Sequence, residues 1–439
     1  MSISRRDILK VAGAAGCVAL CGGGAAPDFR IEIAPLTLDL SPKRRITTTA
    51  YNSQVPGPVL RLQENSPVTI EVTNRSDRPE VVHWHGLHLP AAVDGAMEEG
   101  TVPIAPNSTA RYTFTPRPAG FRWYHTHTMA MGDFSRAQYG GQHGFLLVEP
   151  RENPARYDGE FFVALHDWNA HLLASDDGAM NPTYEVSTIN GKTLGFGEPL
   201  RVRQGQQVLL HILNSSPTEP HWVALAGHTM RVVALDGNPV PTSREVPMLR
   251  LAPAERASVM VAMNNPGVWV LGEVRKHVRA AGMGIIVEYA QRSGDPQWQQ
   301  PTQLSCSYEQ FGTGTGEAAA SDTANVVPLV FDSKFRGHGA MEAWTINGKS
   351  FPDSSVAALR AGERYILKFI NASADDHPLH LHRHTFRLRN SGVMKDVVLV
   401  DAHSTREVEF IADNPGPTLL HCHQQNHMDL GFMMLLNYA

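Results

Sequence analysis

Residues 359–371 read LRAGERYILKFIN, and His377 follows the closing Asn371. The same pattern occurs twice earlier. Residues 200–214 read LRVRQGQQVLLHILN, with His221 after Asn214, and residues 59–74 read VLRLQENSPVTIEVTN, with His83 after Asn74. The closing Asn residues are spaced 140 and 157 apart. TINGK at 188–192 and TINGKSF at 345–351 precede the second and third copies. The copies end alike too: AGFRWYHTH at 119–127, PGVWVLGEV at 266–274 and PGPTLLHCH at 415–423. One unit is therefore written three times, which decides the architecture before any single element does.

Within each copy apolar residues alternate with polar ones. Val68, Ile70 and Val72 are separated by Thr69 and Glu71, and Val408 and Phe410 by Glu409. Period two with Pro, Gly and Asn punctuation predicts half-buried strands in β-sandwiches. The fold class is all-β, with three consecutive sandwiches at residues 28–150, 151–290 and 326–439. Residues 291–325, which include GTGTGEAAASD, read as a polar surface linker.

Composition narrows the function. Of 439 residues, 42% are hydrophobic, which argues against disorder, and 18% are charged, with a formal net charge of −5. That balance excludes a strongly basic nucleic-acid footprint. No apolar run approaches the roughly 20 residues of a membrane-spanning helix. Histidine is abundant, with 21 residues against four cysteines.

The histidines concentrate in HWHG at 83–86, HTH at 125–127, HPLHLHRH at 377–384 and HCHQQNH at 421–427. In a strand, residues i and i+2 share a face about 6.6–6.8 Å apart, so each His-x-His aims two imidazoles at one place. Four pairs give eight imidazoles, two pairs from copy one and two from copy three; copy two has Gly272 and Val274 at the matching positions. Neutral imidazole suits copper, zinc, iron and nickel. Eight ligands exceed the needs of one ion and imply a cluster. Cys422 lies between His421 and His423 and points to the opposite face, where it can join His377 and His427. Two His and one thiolate match a blue-copper site. Zinc is the competitor, although structural zinc usually takes four N/S ligands with paired cysteines and this chain has no C-x-x-C.

These four stretches, in order and spacing, resemble the copper-binding motifs of the multicopper oxidases, over the whole chain from about residue 28. The resemblance implies cupredoxin Greek-key sandwiches and four copper ions. His83 and His380 match type 2 ligands. His85, His125 and His423 match one type 3 copper, and His127, His382 and His421 the other. His377, Cys422 and His427 match the type 1 site. Asp94, in AVDG, matches an acid that delivers protons for oxygen reduction; read locally, it is also a turn residue before Gly95. The usual second acid is absent: Met428 stands in its place, with Asp429 next. Phe432, ten residues after Cys422, matches the axial position, where Met is common. Arg383 stands where Gly is usual and reads as a solvated arginine; His384 shares the face of His382 by parity. Met129 and Met131 weakly resemble copper-binding methionine segments. His88, His143, His166, His171, His228, His338 and His403 read as surface or core histidines, and Cys306 as a free thiol.

The N-terminus reads as an address. SRRDILK at 4–10, then an apolar Gly/Ala-rich stretch to Ala26, resembles a twin-arginine export signal over residues 1–26. A periplasmic or otherwise exported protein is expected, with a lipoprotein anchor at Cys17 or Cys21 the lesser alternative. The expected partners are the export machinery, a small-molecule reductant and dioxygen, with no nucleic acid and no membrane-spanning segment in the mature chain. The expected activity is laccase-like oxidation of phenols or aromatic amines coupled to reduction of dioxygen to water. Oxidation of Cu(I) is the alternative within the class, and a non-enzymatic exported scaffold the one outside it. Loops around His377 and His427 set the donor.

Overall fold

The computed structural model describes residues 26–152, 156–174, 180–303, 306–313, 324–334, 343–354 and 357–439. Of the export signal expected over residues 1–26, residues 1–25, with Cys17 and Cys21, lie outside the described residues, as does His338.

The threefold repeat of the sequence recurs in the hydrogen bonding. In each unit the repeated strand (Val68–Asn74, Gln207–Asn214, Arg364–Asn371) pairs parallel with the unit's first strand (Phe29–Ser41, Gly159–Ala174, Asn325–Lys334). It pairs antiparallel with a later one (Thr109–Phe114, Arg256–Ala262, Thr405–Ile411). In each unit's second sheet, the strand bearing the shared closing motif (Gly120–Thr126, Val268–Glu273, Thr418–Cys422) pairs antiparallel with the strand after it (His143–Glu149, Gly284–Tyr289, Met433–Tyr438). Among the described residues the result is six sheets, of four and four, six and five, and six and five strands. Each pair encloses a core by the alternation seen in sequence: Val68, Ile70 and Val72 are buried, and Thr69, Glu71 and Thr73 half-buried.

The strand Gln207–Asn214 breaks that alternation and is buried along nearly all its length. The cause is a second interface. Leu213 joins Phe121, Trp123, Phe145, Leu147, Ala164, Ala254 and Val397 in a cluster drawn from all three sandwiches. Full burial of each large apolar side chain contributes about 1.5–3 kcal/mol, so this seam holds the units in one arrangement.

The closing asparagines organise the loop after each repeated strand. Asn74, Asn214 and Asn371 each accept the amide of the Ser two residues on (Ser76, Ser216, Ser373), at 2.8, 2.9 and 3.0 Å. Each also donates its Nδ2 to two or more backbone carbonyls of the unit. Asn-x-Ser thus shapes the loop that delivers His83, His221 and His377.

The linker departs from the expectation of a polar surface stretch. Tyr308–Phe311 forms a 3-10 turn, and Phe311 is buried. The Tyr308 hydroxyl donates to Glu255 and accepts the Leu399 amide, and Glu309 binds Arg406 at 3.1 Å. Two aromatics inside a polar sequence fasten the turn between the second and third sandwiches.

Candidate metal centre

One pair of strands carries two sites on opposite faces. His377–Leu381 pairs antiparallel with Thr418–Cys422, with Leu379 opposite Cys422 and His380 opposite His421. Parity therefore puts His377 and Cys422 on one face and His380 and His421 on the other. In the first sandwich the short strand Val82–His83 sets His83 opposite His125. The helix Gln425–Asp429 brings His427 back to the Cys422 face.

The eight imidazoles of the four His-x-His pairs meet between the first and third sandwiches. His83 Nε2 is 3.4 Å from His380 Nε2, and His85 Nδ1 is 3.3 Å from His125 Nε2. His421 Nε2 is 3.5 Å from His127 Nε2 and 3.1 Å from His382 Nε2. His423 groups with His85 and His125. All eight are buried.

Six of the eight rings have their outer nitrogen occupied, whereas His127 Nδ1 and both nitrogens of His423 are buried without a partner. His83 Nδ1 donates to Asp94 O, His125 Nδ1 to Thr126 O, His380 Nδ1 to Asp396 O and His421 Nδ1 to Cys422 O, all at 2.8–2.9 Å. His382 Nδ1 donates to Asp94 Oδ2 at 3.0 Å and His85 Nε2 to Asp396 Oδ1 at 3.2 Å. A neutral ring that donates outward has its lone pair inward. Burial drives His85, His125, His380, His382, His421 and His423 well below the usual imidazole range, and His127 to about 3, so these rings are neutral. Inward lone pairs little more than 3 Å apart repel one another unless a cation lies between them. His423, buried without a hydrogen bond at either nitrogen, makes the same demand. The donor set fits a metal cluster.

On the other face Cys422 Sγ lies 3.6 Å from His427 Nδ1 and 3.8 Å from His377 Nδ1, and the two nitrogens are 3.2 Å apart. His377 Nε2 donates to Ser373 Oγ at 2.8 Å, so the Asn-x-Ser loop also orients this ring. Burial pushes the Cys422 thiol far up and His427 down to about 3. A thiolate here requires a bound cation. The Phe432 ring centroid is 4.7 Å from that of His377, and Trp344 packs on both His377 and His427. Met433 pairs with His421 and Met434 with Leu420 along the ladder.

Asp94 ends the four-residue helix Ala91–Asp94, and Gly95 follows at φ 101°. A Cβ at Gly95 would collide with the Val82 carbonyl oxygen, so only glycine lets the turn close. Asp94 is both turn residue and neighbour of the cluster, its Oδ2 within 3.2 Å of His83 Nδ1 as well as bonded to His382. Two further acids have no distinguishing mark in the sequence. Glu99 accepts the Leu419 amide at 2.6 Å and lies 3.6 Å from His382 Nδ1. Burial, reinforced by the Asp94 charge, lifts it well above the carboxylate range. Glu98, raised by burial, stands 3.9 Å from His127. Asp396 likewise lies outside every histidine motif.

Arg383 corrects its expectation. It is 1% exposed and donates to the carbonyls of Leu89, Asn414, Pro415 and Pro417 and to Thr418 Oγ1. Its φ of 62° explains the usual glycine there. That left-handed residue ends the strand parity, and His384 bonds His382 O and the Tyr438 hydroxyl instead. Asp429 receives the amides of Ala130 and Met131, both at 3.0 Å. Met428 is buried against Leu419 and Met433, with Met129 beside them. Of the remaining histidines, His143 and His166 stack in the interior, and His171 and His403 are exposed. His88 and His228 are half-buried, and Cys306 is free.

Among the described residues copy two carries no equivalent site. His221, homologous to His83 and His377 by repeat position, donates from Nδ1 to Glu273 at 2.9 Å and from Nε2 to Asp167 at 2.8 Å. Burial would lower it, but the Asp167 and Glu273 carboxylates raise it to about 9. The ring is a buried cation that offers no lone pair to a metal.

Family models described as multicopper oxidase match residues 33–153, 159–287 and 327–439. The chain is 30% identical to the multicopper oxidase MmcO of Mycobacterium tuberculosis, over 90% of this chain and 83% of that one. It is 26% identical to Laccase-2 of Fomitopsis schrenkii, over 98% and 94%. The crystal structure of a multi-copper oxidase from Pseudomonas thermotolerans superposes with a TM-score of 0.73 at 25% identity, covering 95% of this chain and all of that one.

Proposed function

The chain belongs to the multicopper oxidases, and from that premise we propose that it is an exported, laccase-like enzyme holding four copper ions. Bound copper would supply one-electron chemistry, so that four single-electron oxidations of a phenol or aromatic amine would balance the reduction of dioxygen, with four protons, to two waters. Export through the twin-arginine route rests on Arg5-Arg6 and the apolar stretch behind them.

The residues divide the work. Cys422, His377 and His427 would hold the type 1 ion, which would take the donor's electron. His83 and His380 hold type 2; His85, His125 and His423 hold one type 3 ion, and His127, His382 and His421 the other. Cys422 is covalently joined to His421 and His423, so its sulfur reaches both type 3 positions through a few bonds. Asp94 holds its carboxylate against His83 and His382, with the Glu99 carboxyl beside it, in place to pass protons to the reduced oxygen. Burial of all eight imidazoles excludes bulk water from the cluster.

The observation that carries this reading is the convergence of inward lone pairs from two sandwiches, with Cys422 bridging to a separate N2S set. A second reading, Cu(I) as the donor, is favoured by Met131. It is 67% exposed and tied by its amide to Asp429, two residues from His427. Copper per chain and steady-state rates for a phenol and for Cu(I), taken on one preparation, test both. About four coppers with phenol turnover support the laccase-like reading, and Cu(I) turnover alone replaces it with the second. A copper content near zero would mean a scaffold.

A further inference from the structure

Six charged side chains lie buried where the three sandwiches meet: Arg122 from the first, Asp236, Glu255 and Arg256 from the second, Lys395 and Asp396 from the third. None is more than 1% exposed. Three cations balance three anions, and the contacts are close. Arg256 grips Asp396 with both nitrogens, Nη1 to Oδ1 at 2.5 Å and Nη2 to Oδ2 at 2.7 Å. Lys395 Nζ binds Asp236 at 2.8 Å and Glu255 at 3.0 Å. Arg122 Nη1 reaches Asp396 Oδ2 at 3.3 Å and donates to Asp236 O; its Nη2 donates to Ala119 O at 3.1 Å and Asn238 Oδ1 at 3.2 Å. One guanidinium therefore touches all three sandwiches.

The network presses on the metal centre. Gly86 follows His85, and a Cβ there would come within 2.7 Å of Asp396 Oδ2, 2.9 Å of Arg256 Nη2 and 3.0 Å of Arg122 Cδ. Asp396 Oδ1 accepts from His85 Nε2, and its backbone carbonyl accepts from His380 Nδ1. A single residue of the third sandwich thus orients one imidazole from each ligand-bearing sandwich. A hydrogen-bonded carboxylate behind a ligand histidine fixes its tautomer and its ring orientation. Arg122 lies on the strand Gly120–Thr126, three residues before His125.

We propose that Arg122 is a positioning residue for the metal cluster, pinning Asp396 so that His85 keeps Nδ1 turned toward His125 and His423. The inference rests on the reading above that these histidines hold copper. Arg256 grips Asp396 more tightly, but from the sandwich that supplies no ligand. Arg122 fixes Asp396 relative to the strand that carries His125, and so sets the register between imidazoles that must meet across the interface.

The test uses full-length, copper-loaded wild type, Arg122→Leu, Arg122→Lys, Asp396→Asn and the Arg122→Leu/Asp396→Asn double variant. Each is equilibrated against graded chelator. Copper per chain, the type 2 electron paramagnetic resonance signal and the blue type 1 band are followed together. Cluster copper in Arg122→Leu is expected to be lost at roughly 10- to 100-fold lower chelator than in wild type. The blue band, whose ligands all lie in the third sandwich, should persist. The double variant should lose copper no more readily than Asp396→Asn alone, because the two residues act in series. Wild-type retention with an unchanged type 2 signal in Arg122→Leu, or losses that add in the double variant, would overturn the inference. Should Arg122→Leu not fold, Arg122→Lys decides. It keeps the charge without the planar fork, and wild-type retention there is equally fatal. A wild type that binds no cluster copper would sink the functional reading instead.

Discussion

Cys422 and His423 are consecutive in the chain but face different sites. The Cys422 sulfur lies 3.6 Å from His427 Nδ1, whereas the His423 ring packs 5.2 Å from the rings of both His85 and His125. Cys422→Ser should therefore act on one site only. The blue band should vanish and donor oxidation stop, while cluster copper stays near the wild-type content. Visible spectra with copper analysis check this; a serine variant that stays blue excludes Cys422 as the ligand.

Asp94→Asn should slow reoxidation by dioxygen by about 100-fold or more while leaving donor oxidation near wild type. The amide can still accept from His382 Nδ1 but cannot deliver a proton. Stopped-flow reoxidation of the fully reduced enzyme is the measurement, and an unchanged rate would reduce Asp94 to its part in the turn.

Phe432→Met should lower the type 1 potential and keep the blue band. The phenyl ring packed on His377 offers no donor atom, and a thioether there would favour the oxidised ion. Redox titration of both proteins at one pH gives the answer. If Met434→Leu shifts the potential and Phe432→Met does not, the axial register is wrong.

Arg383→Ala should destabilise the protein by about 3 kcal/mol or more, because it strips a charged donor from several buried carbonyls. Arg383→Gly relieves the left-handed backbone and should recover about 1 kcal/mol of that. Denaturant titration of the two variants distinguishes backbone relief from the lost hydrogen bonds.

His221 should make stability fall with rising pH. Its folded pKa, about 9, lies above the ordinary 6.5. The contribution is therefore complete below about pH 6.5 and disappears as pH climbs through 9. His221→Gln should remove that dependence and cost roughly 3–5 kcal/mol at neutral pH, since Asp167 and Glu273 lose a buried partner. Unfolding curves from pH 6 to 10 would show it; parallel curves for wild type and variant contradict the assignment.

The convergence of the paired histidines is legible because strand parity turns H-x-H into geometry. Cys422 was legible for the same reason: its parity is opposite. The repeat was legible because Asn-x-Ser loops serve each unit alike. Arg122, Asp396 and Glu99 were hidden because nothing local marks them. Their partners are 274, 311 and 320 residues away in the chain. Arg383 misled because a charged side chain in a histidine-rich run looks solvated, and its backbone carbonyl partners have no signature in sequence. Tyr308 misled through its polar surroundings.

The contact of His83 with His380 has a consequence for how the protein comes to be made. It closes a loop of 297 residues. Such closures are entropically costly and come late, after local hairpins and individual sandwiches have formed. A metal ion meeting the undocked sandwiches finds each cluster site only in part, one or two imidazoles with no partner across the seam. Cluster copper cannot act as a nucleus for folding here; the docked chain is the chelate. Acquisition of the cluster should therefore report that all three sandwiches have docked, and a chain truncated before its last strands should leave the first sandwich a weak, exchangeable binder.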